Sequence, residues 1–346
     1  MKRQLATLPL VALLAAGGCA APMIMGSPAV SVTAVAETAP VGTANEDAAD
    51  DPAIWRNAAN PAASLIVATD KKGGLYTYDL AGRQLSFMAV PGLNNVDLVE
   101  IHGGGILVVA SDRSDLATAH LQLALLDPQT GALTSKDRVE VGPGEGYGIC
   151  LGTMSDTRTL DVFSAPKNGV IYRTRLTFGP GDEFSDTITL ATVPSQPEGC
   201  VVDDRTGTLY VGEEAAGIWA IDIATGEKNL VAAVDNAMLV ADVEGLALAP
   251  EGEDSGYLVA SSQGDNAYAV FALPDMKPVG RFRIAAGTFG STEETDGIAL
   301  DTGSFGPAFP GGLFIAQDGQ NASAAQNFKL VRWDDVLKAL ASGASE

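Results

Sequence analysis

Three features of the 346-residue sequence predict an all-β chain folded as a six-bladed β-propeller. A unit of acidic turn, short apolar run, polar turn, second apolar run and second acidic turn is clearest between Gln196 and Trp219. Runs of that length bounded by Gly and Asp clusters are strand signals. The unit recurs, with entry turns near residues 51, 97, 148, 199, 245 and 297, at spacings of 46, 51, 51, 46 and 52. Repeats of roughly 40–50 residues holding several strands each indicate propeller blades. Composition agrees: 46% hydrophobic and 18% charged residues, with 39 glycines, supply a core and many turns but little charged helical surface.

From the N-terminus, Lys2-Arg3 precede the apolar run Leu5–Ala16, which closes on Ala16-Gly17-Gly18-Cys19. That order predicts a secretory signal over residues 1–18, and a Cys after small residues predicts lipidation at Cys19. Export is therefore expected, to the outer membrane as a lipoprotein or otherwise to the periplasm or medium. The run is too short to span a bilayer. Residues 19–28 read as a tether and 29–346 as the propeller. Val30–Val35 alternates like a strand and is expected to complete the final blade, whose own repeat ends without a fourth strand after Trp333. Closing the ring in this way protects sheet edges. Asp334–Ala341 reads as a short helix. Once Cys19 is set aside, Cys150 and Cys200 form an even pair, and in an oxidising compartment a disulfide is expected; two buried thiols are the alternative.

Formal net charge is -22, which argues against nucleic acid and anionic membrane surfaces as partners. A monomer is expected, with the lipid as its only membrane contact. In up-and-down blades, the start of the first strand and the end of the second lie on one face, so both turns of every repeat should meet at one mouth. Entry turns offer Asp50-Asp51, Asp97, Tyr147, Glu198, Asp242 with Glu244, and Asp296. Second turns, expected to face solvent, offer Asp70-Lys71-Lys72, Arg113, Lys167, Glu213-Glu214, Gln263 with Asp265, and Gln317-Asp318. Cations thus come from blades one to three and carboxylates mostly from four to six, a sorting that scattered surface charge would not show. Oxygen-rich clusters suit hard cations, Ca2+ above all. The two histidines, His102 and His120, make no zinc-type set. Carboxylates beside Lys71, Lys72, Arg113 and Lys167 call for a strongly anionic ligand, and phosphate fits. No Walker-type loop is present, and Arg205 stands one position short of a Cys-x5-Arg cradle from Cys200, which leaves metal-assisted attack by water.

At these residues, from about Asn45 to Val336, the chain resembles the β-propeller phytase family. The matching phrases are Asp50-Asp51-Pro52-Ala53-Ile54-Trp55, Thr69-Asp70-Lys71-Lys72-Gly73-Gly74-Leu75, Leu93-Asn94-Asn95-Val96-Asp97, Gln196-Pro197-Glu198-Gly199, Ala260-Ser261-Ser262-Gln263-Gly264-Asp265-Asn266, Ala316-Gln317-Asp318-Gly319 and Gln326-Asn327-Phe328-Lys329. Each alone is weak; their order and spacing together are specific. The resemblance implies a six-bladed enzyme that uses several Ca2+ ions to remove phosphates from phytate or calcium-phytate, with a cleavage site and an adjacent affinity site. By motif position, Lys71, Arg113, Tyr147 and Lys167 match phosphate-contacting residues. Glu198, Glu214, Asp242, Glu244 and Asp296 match active-site calcium ligands, while Asp51, Gln317 and Asp318 fall in calcium-supporting segments. Glu293-Glu294-Thr295-Asp296 departs from a usual Ser-Asp-Thr-Asp. A calcium-dependent lactonase or esterase, or a non-enzymatic binding lipoprotein, stays open beside this reading.

Overall fold

The computed structural model describes residues 24–101, 105–154, 156, 158–178 and 184–343. Cys19 and the segment read as a signal lie outside them. The repeats form six antiparallel sheets around a common axis. Blade one holds Ala49–Trp55, Leu65–Asp70, Gly74–Asp79 and Gln84–Ala89; blade two holds Leu93–Ile101, Gly105–Asp112, Thr118–Leu126 and Leu133–Pro143. Blade three runs from Gly148–Leu151 to Phe184–Thr192, and blade four from Pro197–Asp203 to Lys228–Ala233. Blade five runs from Val243–Glu251 to Lys277–Ala285, and blade six contributes Ile298–Asp301, Leu313–Asp318 and Asn327–Arg332.

Second strands such as Leu65–Asp70 are buried along their whole length, whereas outermost strands such as Gln84–Ala89 are mostly exposed. This is why the former open as unbroken apolar runs, whereas the latter mix polar residues with exposed apolar ones such as Leu85 and Phe87. The hydrophobic core is a ring of six seams, one between each pair of neighbouring blades. Leu75 and Val67 of blade one meet Val108 and Ala110 of blade two, and Tyr268 and Phe282 of blade five meet Phe314 of blade six. Each fully buried side chain of that size contributes about 1.5–3 kcal/mol. The seams thus carry the fold and leave the axis free for polar groups.

The N-terminal strand differs from expectation. Strand β1 (Val30–Thr33) does not join the last blade; it lies parallel to Lys277–Ala285 as a fifth strand of blade five. The two-residue strand β2 (Ala36–Glu37) is the one that pairs antiparallel with Asn327–Arg332 of blade six. Alternation in Val30–Val35 marks a strand but does not select its partner. The helix α1 (Trp333–Gly343) buries Trp333, Val336 and Leu340, one face at helical spacing, against the seam of blades five and six.

Cys150 and Cys200 are joined by a disulfide with 5.7 Å between their Cα atoms, tying the inner strands of blades three and four.

Candidate active site

Neighbouring inner strands of blades three to six approach closely because the residue after Tyr147, Glu198, Glu244 and Asp296 is glycine. A Cβ on Gly148 would lie 1.9 Å from the carbonyl oxygen of Glu198, and one on Gly297 would lie 2.3 Å from Asp51 Oδ1. The approach is fixed by backbone bonds between blades: Gly245 N–H donates to the Asp296 carbonyl at 2.8 Å, and Gly297 N–H to that of Asp50 at 3.0 Å. Side chains preceding these glycines are thereby gathered at one end of the axis.

Lys71 is buried there, with Nζ 2.9 Å from Asp47 Oδ1, 3.0 Å from Asp50 Oδ1 and 3.1 Å from Asp296 Oδ2. Burial disfavours its charge, but the three carboxylates outweigh that and hold the ammonium protonated above its ordinary range. This corrects the expectation that Lys71, as a second-turn cation, faces solvent. Arg113 and Lys167 are partly exposed and do reach the mouth; both pair with Glu145 Oε1, Lys167 at 3.5 Å. Both also lie over the Tyr147 ring, at 5.4 and 4.3 Å from its centroid. Burial and the surrounding carboxylates raise the Tyr147 phenol well above its usual range, so it stays a donor. Asn94 joins the two halves: its side-chain nitrogen donates to Asp50 Oδ2 at 2.8 Å and to Glu198 Oε1 at 3.1 Å. Its oxygen accepts from Arg113 Nη1 at 2.8 Å.

Among the described residues, one set of three metal-type donors converges: Glu198, Glu214 and Glu244, each offering an oxygen within 4.8 Å of the others. Burial, and then Asp50 and Glu214 against the relief from Glu244 and Lys71, pushes the Glu198 carboxyl up to about 7. Glu244 is raised by burial and by Glu198, Asp296 and Glu214, and Glu214 by burial and the charge of Asp242. Glu244 Oε2 is buried with no hydrogen-bond partner, while the Gln196 amide holds Glu214 Oε1. Three mutually repelling carboxylates, one with an orphaned oxygen, fit a hard divalent cation.

Other predicted residues stand around this centre. Asp296 bridges Lys71 and Gln263 Nε2, the latter at 2.7 Å, and its backbone N–H donates to Gln317 Oε1 at 2.9 Å. Gln317 spends its remaining donor on the Ala49 carbonyl, and so positions Asp296. Asp242 accepts from Gln263 N–H through its carbonyl and acts on the trio through its charge. The structure does not bring several of the predicted residues to the trio. Asp51 lines an axial cavity of about 190 Å³ behind the mouth, shared with Asp97, and accepts from Val96 N–H. Asp318 has a resident cation instead, Lys329 Nζ at 3.1 Å, which is fully buried and also pairs with Glu37. Asp265 faces inward to a buried Arg281. Lys72 is exposed, with only its backbone N–H engaged, on Asp70. Glu294 is also exposed and bonds Gln320 rather than the trio.

Asp47, Asn94 and Glu145 were not singled out from the sequence. Asn94 stands inside one of the matched phrases, so a signal existed; Asp47 and Glu145 are acids in loops, and folding within blade one and across blades two and three gives them their partners.

The comparisons agree with this geometry. A family model described as Phytase matches residues 3–344. The chain is 35% identical to the 3-phytase of Bacillus subtilis (strain 168) over 328 residues, covering 89% of this chain and 85% of that protein. A solved structure titled "Crystal structure of BBS1N in complex with ARL6DN, soaked with mercury" matches at 15% identity and a TM-score of 0.47, over 78% of this chain and 75% of that one. A likeness of that degree bears no weight. A six-bladed ring, a carboxylate trio facing three cations and a family match along nearly its whole length place the chain in the phytase family.

Proposed function

We propose that the protein hydrolyses phosphate monoesters of phytate, alone or as its calcium complex, at this mouth and with Ca2+ as the cation. The observation that carries the reading is Asn94, whose one side chain touches Arg113 on the phosphate side and Glu198 on the carboxylate side. Anion-holding and cation-holding groups therefore share a single small volume. Glu198, Glu214 and Glu244 would hold the ion, with Asp242 and Asp296 beside them. When bound, Ca2+ neutralises phosphate charge and makes water more acidic.

The chain's own residues account for the rest. Arg113 and Lys167 grip phosphate oxygens by charge-assisted hydrogen bonds, and both are stacked on Tyr147, which limits where they can move. The Tyr147 hydroxyl, kept protonated, donates to a phosphate oxygen. Lys71, charged and clamped by three carboxylates, contributes a fixed positive field to charge developing in the transition state. Glu198, oriented by the Asn94 amide, takes up a proton from the attacking water and returns it to the inositol oxygen as the P–O bond breaks. No covalent phosphoenzyme is required.

Phosphate release from phytate, measured with Ca2+ and with EDTA, tests the reading, with p-nitrophenyl ester and lactone substrates as controls. Calcium-dependent release from phytate is expected. Turnover of lactone without phosphate release would overturn it. We also propose export with lipid on Cys19; mass spectrometry finding an unlipidated mature N-terminus beyond that residue would refute this.

A further inference from the structure

We infer that Glu145 is a built-in competitor for substrate phosphate, a carboxylate that occupies the Arg113–Lys167 pair and leaves it when a phosphate arrives. This rests on the reading that those two cations hold phosphate. One oxygen, Glu145 Oε1, serves both: it pairs with Arg113 Nη2 and lies 3.5 Å from Lys167 Nζ. That oxygen is closed to solvent, although the side chain as a whole is 19% exposed. It therefore sits where an oxyanion held by both cations belongs, with water beside it into which the carboxylate can swing.

The backbone under it is less free. The Glu145 carbonyl accepts from Lys167 N–H at 3.2 Å, which ties the loop to the turn carrying one of the cations. Gly144 before it has φ +125°, and a Cβ there would lie 2.8 Å from Asn168 Nδ2 and Pro166 Cβ. Displacement is thus a side-chain rotation. Arg113 keeps its place meanwhile through Asn94 and the Tyr147 ring, so the cations need not reorganise. Lys71 differs: its ammonium is buried, and two of its carboxylates, Asp50 and Asp296, are largely buried and adjoin the inner strands.

A carboxylate carries one charge, whereas a phosphate monoester carries close to two near neutral pH and offers three acceptor oxygens. Glu145 is accordingly outcompeted by a phosphate dianion and holds its place against monoanions. In this way it sharpens selection for terminal phosphates and hastens product departure by reclaiming the pair. It is a positioning residue that reaches the reaction only through Arg113 and Lys167.

The test uses the calcium-loaded full chain, with orthophosphate as a competitive inhibitor of phytate turnover. Glu145→Gln keeps the shape and removes the charge; Glu145→Ala serves as a second variant. The phosphate inhibition constant is expected to fall roughly two- to fivefold, the span that loss of one partly exposed ion pair corresponds to. KM for phytate should fall with it, and kcat should fall as product release slows. A purely structural glutamate would raise both constants or leave them alone, and either result overturns the inference. Arg113→Ala run alongside separates the two levels. If it weakens phosphate while Glu145→Gln does not strengthen it, only the competitor is refuted. If Arg113→Ala leaves phosphate inhibition unchanged, the phosphate-holding reading and the competitor fall together.

Discussion

Arg113 and Lys71 carry the same charge a few ångströms from the same asparagine and aspartate network, yet they should respond differently to removal. Arg113 is partly exposed, so Arg113→Ala ought to leave folding within about 0.5 kcal/mol of wild type. It loses charge-assisted contacts to phosphate, and turnover of phytate should drop roughly 10²–10³-fold. Lys71→Ala strands Asp50 and Asp296 with no counter-charge in a buried site, and breaking buried pairs costs about 3–5 kcal/mol. Melting curves beside initial rates distinguish the two. Equal melting temperatures for both variants would show that Lys71 is not the structural clamp its burial indicates.

Elements are where the sequence was most legible and also where it misled. The 46–52-residue period and the acid-Gly dipeptides place the inner strands, because a glycine there is demanded by the next blade's backbone. Val30–Thr33 shows the opposite case: its strand character is local, but its partner Phe282–Ala285 is some 250 positions away, and no local pattern names it. The site divides likewise. Glu198, Glu244 and Asp296 are readable as entry-turn acids, while Asp47 meets Lys71 across the loops of its own blade and Glu145 meets Arg113 and Lys167 only where blades two and three adjoin. Lys71 was readable as a cation but not as a buried one, since its burial depends on blade six. At this scale the disulfide offers a measurement. It closes a loop of 50 residues between blades three and four, worth about 4 kcal/mol in the chain-entropy account. A Cys150→Ser, Cys200→Ser double variant should lose about that much stability and melt at a lower temperature. An unchanged denaturation midpoint would mean that the inner-strand contacts alone fix the two blades.

For the whole molecule, charge is the dominant liability: -22 overall, with several carboxyls buried at one end of the axis. Burial pushes the Glu198 carboxyl up to about 7 from its ordinary 4.5, and Glu244, Asp296 and Asp51 are also raised, chiefly by burial. A folded state that holds protons more tightly than the unfolded one loses stability as pH rises. In EDTA the melting temperature should therefore fall as pH climbs from about 5 through about 7.5, where these groups ionise. Ca2+ should flatten that slope and add about 2.7 kcal/mol at a hundredfold excess over its dissociation constant. Calorimetry across pH with and without calcium checks both; a melting temperature that rises with pH in EDTA would reverse the sign of the account.

The arrangement of β1 and β2 has a consequence in time rather than in space. Their partners lie on blades five and six, so the segment that leaves the ribosome among the first must wait for nearly the last residues before it can pair. Until then four or five blades stand as an open arc with an unsatisfied seam at either end, and such long-range pairing is slow. Residues 26–38 bridge two blades, from the Gly26 and Ser27 contacts with Asp265 and Arg281 to the Thr38 contact with Phe328, so this segment can settle only after both blades have formed. A chain cut off before blade six would still offer β1 its partner in blade five but leave β2 homeless, and the open ring exposed to whichever neighbour's edge is nearest.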